Sequence, residues 1–178
     1  MLATPLPMAG AMEDCFVIEI HPDAKVSKLA DIEDSVRGTR IVIGARSIID
    51  SFVKIKPAGG MGDVIVGPDC VINSGCVIYT GNGIRIGQGV AIAANCTFAS
   101  VNHEYKQREV PIRSQGFRPS KGGILIEDDV WIGANCVFLD GAILRRGCVI
   151  GAGSIIRGEI PAYSVQAGNP PALLGWRE

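Results

Sequence analysis

Large apolar residues recur in this sequence at every sixth position, and they hold that phase across most of the chain. One run reads Ile43, Ile49 and Ile55, a second Val66, Ile72 and Ile78, and a third Ile86, Ile92 and Phe98. After an interruption the count resumes at Ile126 and continues through Ile132, Phe138, Leu144, Ile150 and Ile156. A companion position lies two residues before them: Ser47, Val53, Val64, Cys70, Cys76, Val90, Cys96, Val130, Cys136, Ala142, Cys148 and Ser154. Residues two apart on an extended strand face the same way. Each hexad therefore offers one large and one usually small side chain to a shared interior.

An α-helix repeats every 3.6 residues and cannot produce this pattern, and a hairpin sandwich would not keep one phase for so long. The pattern predicts an all-β chain wound as a triangular parallel β-solenoid, one hexad per side, with each coil covering the next. Glycine often follows the large residue, at Gly44, Gly67, Gly87, Gly133 and Gly151, which suggests corners with unusual φ. Periodicity does not give the hand of the winding; the usual preference would make it right-handed.

Composition fits this reading. Glycine supplies 23 of the 178 residues, roughly twice the usual ~7%. Aromatics make up only 6%. The formal net charge of −1 gives no electrostatic reason to expect nucleic acid or an anionic membrane as partner. Leu2 to Met12 is broken by prolines and a glycine and lacks a basic start, so it does not read as a signal peptide. A soluble, cytoplasmic protein without membrane insertion is the expectation.

Five of the six cysteines fall on the small inward position, where a free thiol packs as a small hydrophobe; Cys15 stands outside the pattern. No C-x-x-C pair occurs, so zinc-site spacing is missing and no metal is expected. The two histidines, His21 and His103, are too few for a three-histidine zinc site within one chain. That counts against the zinc carbonic anhydrases, which share this kind of solenoid.

The breaks in the count divide the chain. Residues 1–40 form a poorly patterned N-terminal segment, residues 41–160 the repeat domain, and residues 161–178 a tail leaving through Pro161, Pro170 and Pro171. Pro57 to Asp63 is a bulge between coils. The 27 residues between Phe98 and Ile126 are long for a connection in a compact domain, which marks the loop at about 99–123 as functional.

Three segments carry a family resemblance: Ala99-Ser-Val-Asn-His-Glu-Tyr105, Val130-Trp-Ile-Gly-Ala-Asn135, and Val149-Ile-Gly-Ala-Gly-Ser154 leading to Ala167-Gly-Asn-Pro170. With the hexads, they make residues 41–172 resemble the hexapeptide-repeat acyltransferases. The nearest branches are the galactoside, maltose and xenobiotic acetyltransferases and the bacterial polysaccharide O-acetyltransferases. The resemblance implies a left-handed parallel β-helix, a homotrimer with active sites between subunits, acetyl-CoA as co-substrate, and His103 as the catalytic base. It also implies Trp131 beside both pantetheine and acceptor, and Gly133, Ala134 and Ala152 where small residues let backbone approach the pantetheine arm. Asn73 and Asn82 match the acceptor-contacting region, although corner residues of a solenoid would look the same.

The chemistry is consistent with that assignment. Acetyl transfer from a thioester needs a base to take a proton from the attacking hydroxyl or amine, and histidine has a suitable ordinary pKa. No residue reads as a covalent nucleophile, which predicts direct transfer in a ternary complex. The family commonly carries a lysine after the Gly-Ala-Gly-Ser strand and arginines after the final proline, all on CoA phosphates. Here Arg157 and Gly158 stand in the first region and Ala172 and Gly175 in the second, leaving Arg157 and Arg177 as substitutes. The loop from Val101 to Gly123 adds Lys106, Arg108, Arg113, Arg118 and Lys121 against Glu104 and Glu109. An anionic acceptor, CoA phosphates or a plain solvated surface would each account for that excess.

The favoured function is O-acetylation of a sugar hydroxyl, on a surface polysaccharide or its precursor. N-acetylation of an amino sugar, nucleotide-linked or free, is the alternative within the same chemistry, and a non-catalytic trimeric scaffold the alternative outside it. Serine acetyltransferases carry a helical N-terminal domain for which residues 1–40 are too few.

Overall fold

A computed structural model describes residues 18–178. Its strands stack into three parallel sheets, the three sides of a triangular solenoid. The first side holds Ile18–Ile20, Ile41–Ile43, Val64–Val66, Ile84–Ile86, Ile124–Ile126, Ile143–Leu144 and Glu159–Ile160. The second holds Lys25–Val26, Ile48–Ile49, Val71–Ile72, Ala91–Ile92, Trp131–Ile132, Val149–Ile150 and Ser164–Gly168. The third holds Asp31–Ile32, Lys54–Lys56, Val77–Tyr79, Thr97–Ala99, Val137–Leu139 and Ile155–Ile156. Among the described residues the only helical turn is a short 3₁₀ segment, Ile112–Ser114, and no helix is long and apolar enough to cross a membrane.

Both inward positions of every hexad are buried, from Ile43 to Ile156 and from Ser47 to Ser154. Stacking places like on like. Phe98 and Phe138, on adjacent coils of the third side, lie with ring centroids 4.8 Å apart and planes 10° from parallel. Cys70, Cys76, Cys96, Cys136 and Cys148 are buried free thiols. Burial pushes the Cys148 thiol up to about 12, so it stays neutral and unreactive at ordinary pH. Cys15 lies outside the described residues.

Three features differ from the sequence reading. The winding begins before residue 41: Ile18–Ile20, Lys25–Val26 and Asp31–Ile32 form a first coil, with Ile20, Val26 and Ile32 in register with Ile43, Ile49 and Ile55. Weak apolar companions at Ala24 and Ala30 hide the period there. The tail, too, stays on the solenoid. Ser164–Gly168 adds a strand to the second side, and Pro171–Trp176 folds back antiparallel on it.

The third difference concerns the glycines after the large residues. They are not the corner residues of positive φ; that role falls to Arg46, Asp69, Gly89, Asn135 and Gly153, each two positions further on. The glycines are required by close stacking of successive coils instead. A Cβ on Gly44 would lie 2.5 Å from the Gly67 carbonyl carbon, and one on Gly133 would lie 2.6 Å from the Ala152 nitrogen.

The longer connections share one edge. Every departure from the hexad count occurs where the third side passes to the first: the insertions at residues 33–40, 57–63, 80–83 and 100–123, and the shortened turn at 157–158. The other two edges turn without insertion from Ile41 to Ile156. One edge of the prism is thus built up by loops while the faces stay flat.

Candidate active site

The long loop leaves the solenoid after Thr97–Ala99 on the third side. Its start is fixed by Ser100, whose hydroxyl bonds the carbonyls of Tyr79 (3.0 Å) and Thr80 (2.6 Å). Its return is fixed by Asp140, only 4% exposed. One Asp140 carboxylate oxygen accepts the Lys121 backbone N–H (2.8 Å) and the other that of Gly123 (3.0 Å). At the tip, the Gln115 side chain accepts the Gln107 N–H and donates to the carbonyls of Gln107 and Val110.

Between these anchors the loop closes on itself around His103. Arg118 N–H bonds Asn102 O (2.8 Å), and Glu104 N–H bonds Gly116 O (3.0 Å), so His103 pairs antiparallel with Phe117. The two rings sit 4.7 Å apart at 42°. Among the described residues no side chain bonds the imidazole. Glu104, its chain neighbour, is turned to the loop backbone: its carboxylate accepts the N–H groups of Tyr105 (2.8 Å) and Lys106 (3.1 Å). These bonds, aided by Arg118, hold it below the usual carboxylate range. Arg118 stacks 4.4 Å over the Tyr105 ring and lies 3.7 Å from Glu104. The imidazole is therefore oriented by an aromatic neighbour and two backbone bonds.

His103 faces a cavity of about 500 Å³, lined also by Asn102, Tyr105, Arg118, Lys121, Asp140 and Arg157. Arg157 arrives from the third side, just after Ile155–Ile156. Phe117 and Asp140 were not singled out in the sequence, and Lys121 only as one of the loop's cations. Each depends on a contact between segments far apart in the chain, and no local pattern marks such a contact.

The other predicted residues lie elsewhere. Trp131 is exposed on the second side, between Ala91 and Val149. In a triangular prism that side is opposite the edge carrying His103, so the two cannot share a site within one chain. Gly133, Ala134 and Ala152 turn the edge between the second and third sides. Asn135 stands exposed on the same turn, Gly133 is packed against the Ala152 nitrogen, and a Cβ on neighbouring Gly153 would meet nothing within 4 Å. Asn73, near the same edge, donates its amide to the Ile92 carbonyl (2.7 Å), the bond of a corner residue. Asn82 is on the loop edge and lines a separate cavity of about 430 Å³ with Asp63 and Gly122. Its amide nitrogen is buried and has no partner among the described residues. Arg177 is held by the Asp129 carboxylate and the Gly147 carbonyl, both at 3.0 Å.

Known proteins with this architecture share both the repeat and the fold. The bacterial transferase hexapeptide family (six repeats) matches residues 123–158. A Mycobacterium tuberculosis protein named as a probable acetyltransferase is 33% identical over 147 residues, 82% of this chain and 39% of that protein. A tetrahydropyridine-dicarboxylate N-acetyltransferase of Staphylococcus aureus is 43% identical over 56 residues, 32% of this chain and 23% of its own length. The chain thus spans well under half the length of these relatives. Among solved structures, the acetyltransferase VCA0836 of Vibrio cholerae, complexed with acetyl-CoA, superposes with a TM-score of 0.67 at 25% identity, covering 76% of this chain and 71% of that one. The N-acyltransferase AntD of Bacillus cereus, complexed with an amino-sugar nucleotide and coenzyme A, gives a TM-score of 0.76 at 19% identity, covering 91% and 85%. The chain is a left-handed parallel β-helix carrying the hexapeptide repeat of bacterial transferases, and in repeat and fold it resembles the hexapeptide-repeat acyltransferases.

Proposed function

We propose that the protein is an acetyl-CoA-dependent acetyltransferase acting on a saccharide, with His103 as general base. The observation that carries this reading is the imidazole itself, seated against Phe117 with open nitrogens at the mouth of a cavity. Acetyl-CoA supplies the activated acetyl group. His103 takes the proton from the acceptor as its oxygen or nitrogen attacks the thioester carbon, and the coenzyme leaves as a thiolate that can regain that proton. Asn102, beside the base, is placed to bond the acceptor or the developing oxyanion.

The site is completed by a second copy of the chain. Ile48, Val71, Ala91, Trp131 and Val149 form an apolar outward column along the second side, a surface suited to burial between subunits. A homotrimer that sets this face against the loop edge of the next copy brings Trp131 toward a neighbouring His103. The pantetheine arm would follow the small residues Gly133, Ala134 and Ala152.

His103→Ala is expected to reduce acetyl transfer by about 10²–10⁴-fold while acetyl-CoA still binds in calorimetry. Full activity in that variant would remove the catalytic role. A sugar hydroxyl is the favoured acceptor. An amino sugar is the second reading, supported by the amino-sugar nucleotide in the AntD complex. Mass spectrometry of the acetylated product separates the ester from the amide. A folded protein that fails to bind acetyl-CoA would point to a scaffold.

A further inference from the structure

We propose that Lys121 and Arg157 form an anion subsite beside His103 that holds a carboxylate or phosphate carried by the acceptor. This rests on the acetyltransferase reading above and narrows its substrate class to anionic saccharides.

The cavity facing His103 is lined by three cations and one acid. Arg118 is committed to the loop, stacked on Tyr105 and paired with Glu104. Asp140 uses both oxygens on backbone N–H groups. The Lys121 and Arg157 side chains have neither a hydrogen-bonding partner nor an ion-pair partner among the described residues, whereas Arg40, Arg46, Lys54 and Arg145 on the solenoid are each paired with a carboxylate. They come from different elements, the loop's return and the end of a third-side strand, yet share one cavity. Two such cations offer a charge-assisted grip on an anion.

Coenzyme A also carries phosphates, but its geometry argues against placing them here. The reacting thioester must lie at His103, and the extended pantetheine arm carries the phosphates well away from residues that line the same cavity as the imidazole. The anion that reaches Lys121 and Arg157 is then the acceptor's.

The test follows the His103 imidazole resonance by NMR in the trimer, with coenzyme A absent and then saturating. The probes are inorganic phosphate, galacturonate and its uncharged counterpart galactose. Phosphate and galacturonate are expected to shift the resonance saturably in both states, and galactose is not expected to bind comparably. Lys121→Gln and Arg157→Gln should each weaken galacturonate by about tenfold and leave acetyl-CoA affinity unchanged in calorimetry. Galactose binding as well as galacturonate, the absence of a saturable shift with either anion, or variants that retain galacturonate affinity would each overturn the proposal. So would displacement of the anions by coenzyme A, or variants that lose acetyl-CoA instead, since the cations would then serve the donor. Calorimetry on the parent protein decides the transferase reading separately: without acetyl-CoA binding, that reading fails whatever the anions do.

Discussion

At the scale of single residues, His103 is held by packing. With no hydrogen bond fixing its imidazole among the described residues, the Phe117 ring is the principal restraint on it. Phe117→Ala is expected to lower kcat by about tenfold or more, because misplacing a base by an ångström is costly. Phe117→Tyr should restore most of that rate, a rescue that general loosening of the fold would not show. Glu104 supports the same loop through its charge. Its pKa is depressed, so its contribution is present above the ordinary value of 4.5 and is lost as pH falls through the lower folded value. Loop order, followed by the Tyr105 and His103 resonances, should therefore hold down to about pH 4.5 and loosen below it. Glu104→Gln should remove that pH step.

At the scale of elements, the coils and the loop answer to different physics. The coils are apolar stacking: Phe98 and Phe138 are fully buried on adjacent coils, and Phe138→Ala should lower the unfolding free energy by about 3–5 kcal/mol, measurable by denaturant titration. The loop has little core of its own. Asp140 ties its return through two backbone bonds, and Asp140→Ala leaves both donors unmatched. That variant is expected to keep the solenoid's thermal transition nearly unchanged while the segment 100–123 becomes sensitive to limited proteolysis.

At the scale of the whole molecule, His103 stands on one edge and Trp131 on the opposite face, so a site using both requires two copies. Trp131→Glu should shift sedimentation from trimer to monomer and abolish transfer together. Mixing inactive His103→Ala with an assembly-competent Trp131→Ala should restore part of the activity through mixed trimers, because some interfaces then hold an intact His103 and an intact Trp131. Activity that stays absent after subunit exchange would mean that Trp131 does not complete a neighbouring copy's His103 site.

The sequence by itself determined the solenoid. A period of six with inward pairs is a local consequence of strand geometry, and the pairs from Ser47/Ile49 to Ser154/Ile156 are all buried as read. The first coil escaped because Ala24 and Ala30 give a faint version of the same signal. His103 was legible as a candidate from its flanking motif and its place at a break in the repeat. Its surroundings were not. That Phe117 backs the imidazole and that Arg157 shares a cavity with Lys121 are decided by where a 24-residue excursion returns to the prism, and that Arg177 is held by Asp129 by where the tail folds back. Such contacts join residues 14 to 48 positions apart. No repeat encodes them, and only the closed tertiary structure sets them.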